Sequence, residues 1–436
     1  MFDIALADAV RAEATALLSD LIRIDSSNPP GNEAAVADYL QALAAREGLR
    51  SERIPVGEGR DSVALRLPGD GTAAPLLFLA HTDVVPVEAD QWTRPAFTAH
   101  LEDGYLYGRG ALDMKGMLAM ELMAVLELRR RGLALRRDIV LLATGDEEAG
   151  SAFGAEHVAK VRPDLLQADA CINEGGFGYT EVFGVRGPVF GLSHAEKSPL
   201  WLRLRTRGVP GHGSVPHGED AGSRMVHALA RIDAWRRPNV VVPENEPLLR
   251  FIAERGVLPA LEDEALAALA ARNPTVNATT SHTVANTTCR FGIKSNVLAA
   301  TAEATLDCRL LPGETAEHFI ADLGAVIDDP AVEVETIFHA SSPVSPLDGG
   351  LAAAVRDAVH DWNPDAAVVP WITTGFTDSR VPRRLGVPSY GFIPALLEPG
   401  ELARLHGNDE RISLDNLAFG CAMLHGVARR FCGAGA

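Results

Sequence analysis

His81 closes the apolar run Leu76-Leu77-Phe78-Leu79-Ala80, and Asp83 follows it two residues later. In an open α/β sheet, ligands bind beyond the carboxyl ends of strands, so an imidazole there stands where a functional group is expected. A neutral imidazole that binds a metal needs a partner for its second ring nitrogen, and a nearby carboxylate supplies one. A second run, Ile139-Val140-Leu141-Leu142-Ala143, leads into Asp146, Glu147 and Glu148. Adjacent carboxylates raise one another's pKa unless cations neutralise them. Two neighbouring Glu can also divide the labour, one holding a metal while the other moves a proton. A third run, Asp169 to Asn173, ends at Glu174 before two glycines. Asp113 sits in the Gly-rich stretch YGRGALDMKG, and His406 lies far downstream in the polar turn HGNDE.

Each feature has a plainer reading. A strand-end His is often incidental, an Asp before a helix is usually an N-cap, and an acidic loop is usually solvated. Together, His81, Asp113, Glu148, Glu174 and His406 make a suitable ligand set for two zinc ions sharing a bridging carboxylate. Spacing alone does not bring them into one place.

The elements that must position these residues show in the hydrophobic pattern. Up to about residue 190, apolar strand-like runs alternate with helix-like segments, the pattern of a largely parallel sheet covered by helices. Leu76–Ala80 and Ile139–Ala143 read as strands buried on both faces, so both should end on the same edge of the sheet. Between them Lys115–Arg131 has helical spacing, with a basic last turn and Gly132 as its cap. From about residue 195 apolar and polar residues alternate, at Pro199–Arg205 and again at Thr301–Leu310, which predicts half-solvated antiparallel strands. Helices near 222–235 and 315–327 and a strand at 332–338 complete an α+β unit over 193–341. The first style then resumes, with a helix at 350–360, an apolar stretch at 366–372 and a final helix from Leu414. The expected fold class is α/β, a domain over 1–192 and 342–436 interrupted by the smaller unit. Residues 237–287 carry a Leu/Ala helix at 262–271 and no chemistry, and there is no internal repeat.

Composition narrows the partners. The 436 residues are 47% hydrophobic and 22% charged, which suits a globular protein with a sizeable core. A formal charge of -18 repels a phosphate backbone, so nucleic acid is not an expected partner. The first residues read as an amphipathic helix broken by Asp3, Asp8 and Glu13 rather than a secretory signal, and no apolar run is long enough for a membrane span. The expectation is a cytoplasmic protein without a membrane partner. Cys171, Cys289, Cys308, Cys421 and Cys432 are scattered, without a CxxC pair, and read as small side chains in a reducing compartment.

The motifs HTDVVPV, YGRGALDMKG, ATGDEEAGS, NEGG, GVPGHGSVP, GFTDSR and HGNDERI span nearly the whole chain. In content and order they resemble the aminoacylase, acetylornithine deacetylase, succinyl-diaminopimelate desuccinylase and glutamate carboxypeptidase group of metallopeptidases. The resemblance implies a zinc-peptidase-like α/β/α catalytic domain with an inserted ferredoxin-like lid and dimerisation domain. It implies that His81 and Glu174 hold one zinc, Glu148 and His406 the other, and that Asp113 bridges them, with cobalt or manganese as alternatives to zinc. Asp83 would orient His81, Glu147 would be the general base, and the Asp113-Met114 peptide would be cis. His212, in Gly211-His212-Gly213, would stabilise the oxyanion from the second subunit of a homodimer. Asn296, Arg309 and Arg380 are candidates for a substrate carboxylate, although Ala299 stands where the family usually has Pro and either Arg could be an ordinary ion-pair residue.

The expected function is hydrolysis of an amide in a small N-acyl amino acid or dipeptide with a free carboxylate, of the carboxypeptidase or deacylase type. Three other readings make different demands on the sequence. A catalytically inactive ligand-binding relative should lack a ligand or the base, and all six positions are present. A serine hydrolase finds only Gly191-Leu192-Ser193-His194-Ala195, which lacks the final Gly of a nucleophile elbow. A two-zinc aminopeptidase differs in needing a free substrate amine.

Overall fold

The computed structural model describes residues 3–57 and 59–433. Helices α1 (Ile4–Arg23) and α2 (Glu33–Glu47) precede strands β1 (Arg50–Ile54), β2 (Ser62–Leu67) and β3 (Leu76–His81). The short strands β4 (His100–Glu102) and β5 (Tyr105–Tyr107) are followed by α3 (Lys115–Arg130), β6 (Ile139–Thr144) and α4 (Ala155–Val161). A long hairpin, β7 (Ala170–Val182) and β8 (Val185–Glu196), leads to β9 (Ser198–Arg207), β10 (Gly211–His212) and α5 (Ala221–Ala234). Helices α6 (Glu246–Glu254), α7 (Asp263–Arg272) and α8 (Pro274–Thr280) come next. Then follow β11 (Thr283–Phe291), β12 (Val297–Leu298), β13 (Thr301–Leu310), α9 (Ala316–Ile327) and β14 (Val332–His339). The chain ends with α10 (Gly350–Trp362), β15 (Ala367–Thr373), α11 (Arg380–Arg384), β16 (Ser389–Leu397), β17 (Arg411–Ser413) and α12 (Leu414–Cys432).

The chain separates into two compact units. One runs to His194 and resumes over Val344–Trp371 and from Thr377 onward; the other is Ala195–Pro343 with Ile372–Phe376. The return of Ile372–Phe376 lies outside the boundaries expected from sequence. It is held within its unit by a hydrogen bond from Lys197 N to Thr373 O, 3.0 Å, and by the ring contact of Phe376 with Trp201.

The first unit is built on an eight-stranded sheet of order β1-β2-β6-β3-β7-β16-β8-β15. The expectation of a largely parallel sheet needs correction, because the sheet is mixed. Its centre, β6-β3-β7-β16, is parallel, but β2 runs antiparallel to β6 and β8 antiparallel to β16. The reversal at β8 comes from a two-residue turn in which Phe183 (φ 52°) and Gly184 (φ 83°) both take the left-handed conformation that tight hairpins require. Burial along β3 explains the layers. Leu76, Phe78 and Ala80 pack with residues of α1, α2, α3 and α12, while Leu77 and Leu79 pack on the opposite face with α4 residues Ala155 and Val158. Each buried Leu or Phe is worth about 1.5–3 kcal/mol relative to exposure, so a strand covered on both faces is strongly fixed in register.

In the second unit, β11-β13-β9-β14 form an antiparallel sheet. Ala302, Ala304, Leu306, Cys308 and Leu310 of β13 face a core shared with Met225 and Ile232 of α5 and Phe319 and Leu323 of α9. The segment that sequence left mostly unassigned forms α6, α7 and α8. Its C-terminal end is held by the buried Lys197, whose Nζ donates to Ala278 O (2.9 Å), Ser281 O (2.8 Å) and Thr283 Oγ1 (3.0 Å). No helix among the described residues is long and apolar enough to cross a membrane.

Helix α3 contains an exception to its apolar packing. Glu121 is fully buried, and neither of its carboxyl oxygens has a hydrogen-bond partner among the described residues. Burial pushes its carboxyl well above the ordinary range, so the folded chain holds a proton there that the unfolded chain releases. The contribution of this group to stability is fully present below the ordinary glutamate range and is lost as pH rises. Glu121→Leu should therefore stabilise the fold by about 1–3 kcal/mol, and by more at pH 8 than at pH 5. Denaturant unfolding of both proteins at the two pH values checks this, and an equal or smaller gain at pH 8 would contradict it.

Candidate metal centre

The parallel register sets the site. His81 at the end of β3 pairs with Thr144 at the end of β6, so the segment 145–148 leaves the sheet beside the imidazole. Ile172 of β7 pairs with Phe78, which brings Glu174 abreast of the end of β3. Glu174 was expected at a strand end, but β7 continues to Val182, so the carboxylate projects from within a strand. Asp113 lies in the loop before α3. It is not the N-cap, since that position is Met114, and the Asp113-Met114 peptide is cis.

Two triads share one residue. His81 Nε2 is 3.0 Å from Asp113 Oδ1 and 3.7 Å from Glu174 Oε1. His406 Nε2 is 3.0 Å from Asp113 Oδ2 and 3.2 Å from Glu148 Oε1. In each triad, one ligand atom from every residue lies within 4.8 Å of the others. Asp113 thus offers one oxygen to each imidazole, the arrangement of a bridging carboxylate.

The electrostatics identify what this cluster would accept. Burial and the Asp113 charge push Glu174 up to about 8, and burial and Asp113 also raise Glu148. Burial and Glu174 push Glu147 well above its usual range. His406 is raised to about 10 by its bonds to Asp113 and Glu148. In His81, burial opposes protonation but is outweighed by Glu174, Asp113 and Asp83. Asp113, despite burial, is held low by the two imidazoles. Four ionised carboxylates would exceed the charge that two imidazoles offset, so without a further cation Glu147, Glu148 and Glu174 are pushed toward their protonated forms; the donors themselves are imidazole and carboxylate. This set suits divalent metal ions.

Asp83 does its work through two different groups. Its carbonyl accepts from His81 Nδ1 at 2.9 Å, whereas its carboxylate is 3.5 Å from that nitrogen. The carboxylate instead accepts from Glu147 N (3.1 Å), Glu148 N (3.2 Å) and Asn28 Nδ2 (2.9 Å). The same residue fixes the imidazole's free nitrogen and the turn carrying both Glu residues. Asp146 (φ 65°) opens that turn, held by Arg60 Nη2 at 2.6 Å, Asn28 Nδ2 at 3.1 Å and Phe153 N at 2.9 Å. Arg60 in turn is paired with the buried Glu33 at 2.9 Å. Behind the turn, Asp378 accepts from Thr144 Oγ1 at 2.9 Å and from Ser151 Oγ. Glu147 differs from these braced carboxylates, because no side-chain hydrogen bond holds it among the described residues.

The other expected residues fall in two places. Arg380 begins α11, fully buried, and donates to Thr377 O (2.9 Å), Gly150 O (2.9 Å) and Ser151 Oγ (3.0 Å). His212 and Asn296 lie together in the second unit, where β10 pairs with β12 and Gly213 N donates to Asn296 O at 2.8 Å. His212 is exposed, with Nδ1 2.7 Å from Ser214 Oγ. Arg309 forks onto Asp307 at 2.7 and 3.0 Å and lies over the Phe376 ring, with Nη1 buried and without a hydrogen-bond partner among the described residues. Sequence reading missed Asn28, Glu33, Arg60 and Asp378. Asp378 alone had a signal, since it lies inside GFTDSR.

Residues 77–430 match the model of peptidase family M20/M25/M40. The N-fatty-acyl-amino acid synthase/hydrolase PM20D1 of Xenopus tropicalis is 31% identical over 79% of this chain and 70% of its own length. Aminoacylase-1 of Sus scrofa is 28% identical over 91% of this chain and 89% of its own. The crystal structure of the M20 family metallo-carboxypeptidase Sso-CP2 from Sulfolobus solfataricus superposes with a TM-score of 0.73 at 18% identity, covering 96% of this chain and 99% of that one. With the paired metal-ligand triads in place and the family model matching most of its length, the chain belongs to peptidase family M20/M25/M40 and is a metal-dependent hydrolase.

Proposed function

We propose that the chain hydrolyses the amide bond of small N-acyl amino acids or dipeptides that carry a free carboxylate. The observation that carries this reading is Asp113 shared between two His-carboxylate triads, with a Glu147 carboxylate that feels the charges of Glu174, His81 and Glu148 and carries no hydrogen bond among the described residues. His81 and Glu174 would hold one zinc ion, Glu148 and His406 the other, and Asp113 would bridge them. Bound zinc supplies Lewis acidity toward the amide carbonyl and makes a neighbouring water more acidic. Glu147 takes the proton of the attacking water and delivers it to the leaving amine as the C–N bond breaks. Its unbraced carboxylate suits a group that must accept and release a proton in each turnover. The names of two relatives, an N-fatty-acyl-amino acid synthase/hydrolase and an aminoacylase, support an acyl amino acid as the substrate.

Substrate contacts divide differently from the sequence expectation. Arg309 keeps Nη1 for a carboxylate, and Asn296 adjoins His212. Arg380 directs Nη2 at Gly150 O and Ser151 Oγ and Nη1 at Thr377 O, so its role in this proposal is to back the Glu147 turn. We extend the reading to a homodimer in which His212 of the partner subunit donates to the developing oxyanion. The exposed edge strand β11, with Phe291 at 49% and Ile293 just beyond it at 94% exposure, is the surface this dimer would cover.

Chelation and dialysis should abolish hydrolysis of N-acyl amino acids, and added zinc should restore it. Full turnover by verified metal-free protein would refute the metal mechanism. Substrates with a free amine but a blocked carboxylate should be poor, and preference for them would favour an aminopeptidase instead. Glu147→Ala should keep its metal while losing about 10²-fold or more in kcat, and metal analysis alongside kinetics separates the two effects. Mixed dimers of Glu147→Ala and His212→Ala subunits should recover part of the activity absent from either parent. No recovery in dimers of verified composition would remove His212 from action across the interface.

A further inference from the structure

Glu410 belongs to the HGNDERI motif and has no place in the reaction described above. It is fully buried beside the metal centre, with its carboxylate surrounded by donors. Oε2 accepts from Arg109 Nη1 at 2.7 Å and Gly110 N at 3.1 Å. Oε1 accepts from Leu112 N at 2.7 Å and Asp113 N at 3.1 Å. On the other side of the same contact, Arg109 Nη2 donates to Gly407 O at 2.9 Å and lies 3.4 Å from His406 O. The backbone of Glu410 also accepts from Gly108 N at 2.8 Å. One ion pair therefore ties the backbone of Asp113 to that of His406, across nearly 300 residues of sequence.

The two triads depend on this tie unequally. His81 is 1% exposed, sits in a central strand and has Nδ1 fixed by the Asp83 carbonyl. His406 is 48% exposed, lies in a turn with φ 58°, and is positioned through its backbone. We propose that Glu410, acting with Arg109, is a positioning residue that sets the spacing between Asp113 and His406 and so determines the affinity of the Asp113-Glu148-His406 site for its metal. The proposal rests on the two-metal reading above. Outer partners of metal ligands typically account for 10–100-fold in affinity. In Glu410→Gln the amide NH2, whichever way it is placed, faces two donors where the carboxylate accepted from both, so the loop and the turn lose their common anchor.

The test is zinc binding to dialysed protein, measured by competition with a chromophoric chelator. Cobalt(II) absorption serves as a second readout of each site. Wild type should bind two equivalents. Glu410→Gln should keep one site within about threefold and weaken the other by about tenfold or more. His406→Ala marks which site is affected, and the double variant should bind the first metal no worse than His406→Ala alone. Arg109→Met guards against a misfolded Glu410 variant, since it leaves three backbone donors on Glu410 and should show the same selective loss. Unchanged constants for both metals, or equal weakening of both, in either folded variant would overturn the proposal. If wild type itself binds fewer than two zinc ions, the two-metal reading fails first, so the two failures are distinguishable.

Discussion

Concentrated negative charge at the carboxyl edge of a buried sheet is the constraint to which the rest of the first unit answers. Asp113, Glu147, Glu148 and Glu174 cannot share a dry volume with only two imidazoles unless something else takes up their charge. The surrounding carboxylates of Asp83 and Glu410 hold this cluster in place by its backbone amides. The sheet brings His81, Glu174 and the 145–148 segment level by register, and the loops carry backbone N–H groups inward.

A division runs through the acidic groups of this region. Asp83, Asp146, Asp378 and Glu410 are spent on structure, each accepting from backbone amides, hydroxyls, an amide side chain or an arginine. Under the proposed function, Asp113, Glu148, Glu174 and Glu147 are left for metal binding and proton transfer. Carboxylates of both kinds are buried, and their hydrogen bonds separate the roles where burial does not. Asp83 shows the economy of the arrangement, with its carbonyl tuning His81 and its carboxylate holding the turn that bears Glu147 and Glu148.

How much was legible in the sequence follows from how local each signal is. His81 and the 146–148 segment stood out because β3 and β6 are apolar on both faces and stop abruptly at polar residues. Glu174 was found although its strand does not stop there, because its apolar approach looks the same whether or not pairing continues beyond it. The alternation at Thr301–Leu310 gave β13 to the residue, since one face meets helices and the other does not. What stayed hidden is long-range. Asn28, Glu33 and Arg60 reach the site only through folding, and nothing in their neighbourhoods distinguishes them from surface polar residues. From sequence Arg380 is a loop arginine open to either a substrate carboxylate or a surface ion pair, because sequence carries no measure of burial. The segment of α6 to α8 was obscured by prolines that in the structure lie at or near helix starts.

The interrupted layout of the first unit also orders events during synthesis. β7 can pair with β3 as soon as both exist, but its other neighbour, β16, and the turn bearing His406 are translated only after the whole inserted unit. The inserted unit is nearly continuous in sequence, so its own contacts are available earlier. A nascent chain therefore carries His81, Asp113, Glu148 and Glu174 as an acidic, half-covered sheet edge until its last quarter emerges, and the centre closes only when the C-terminal segment returns.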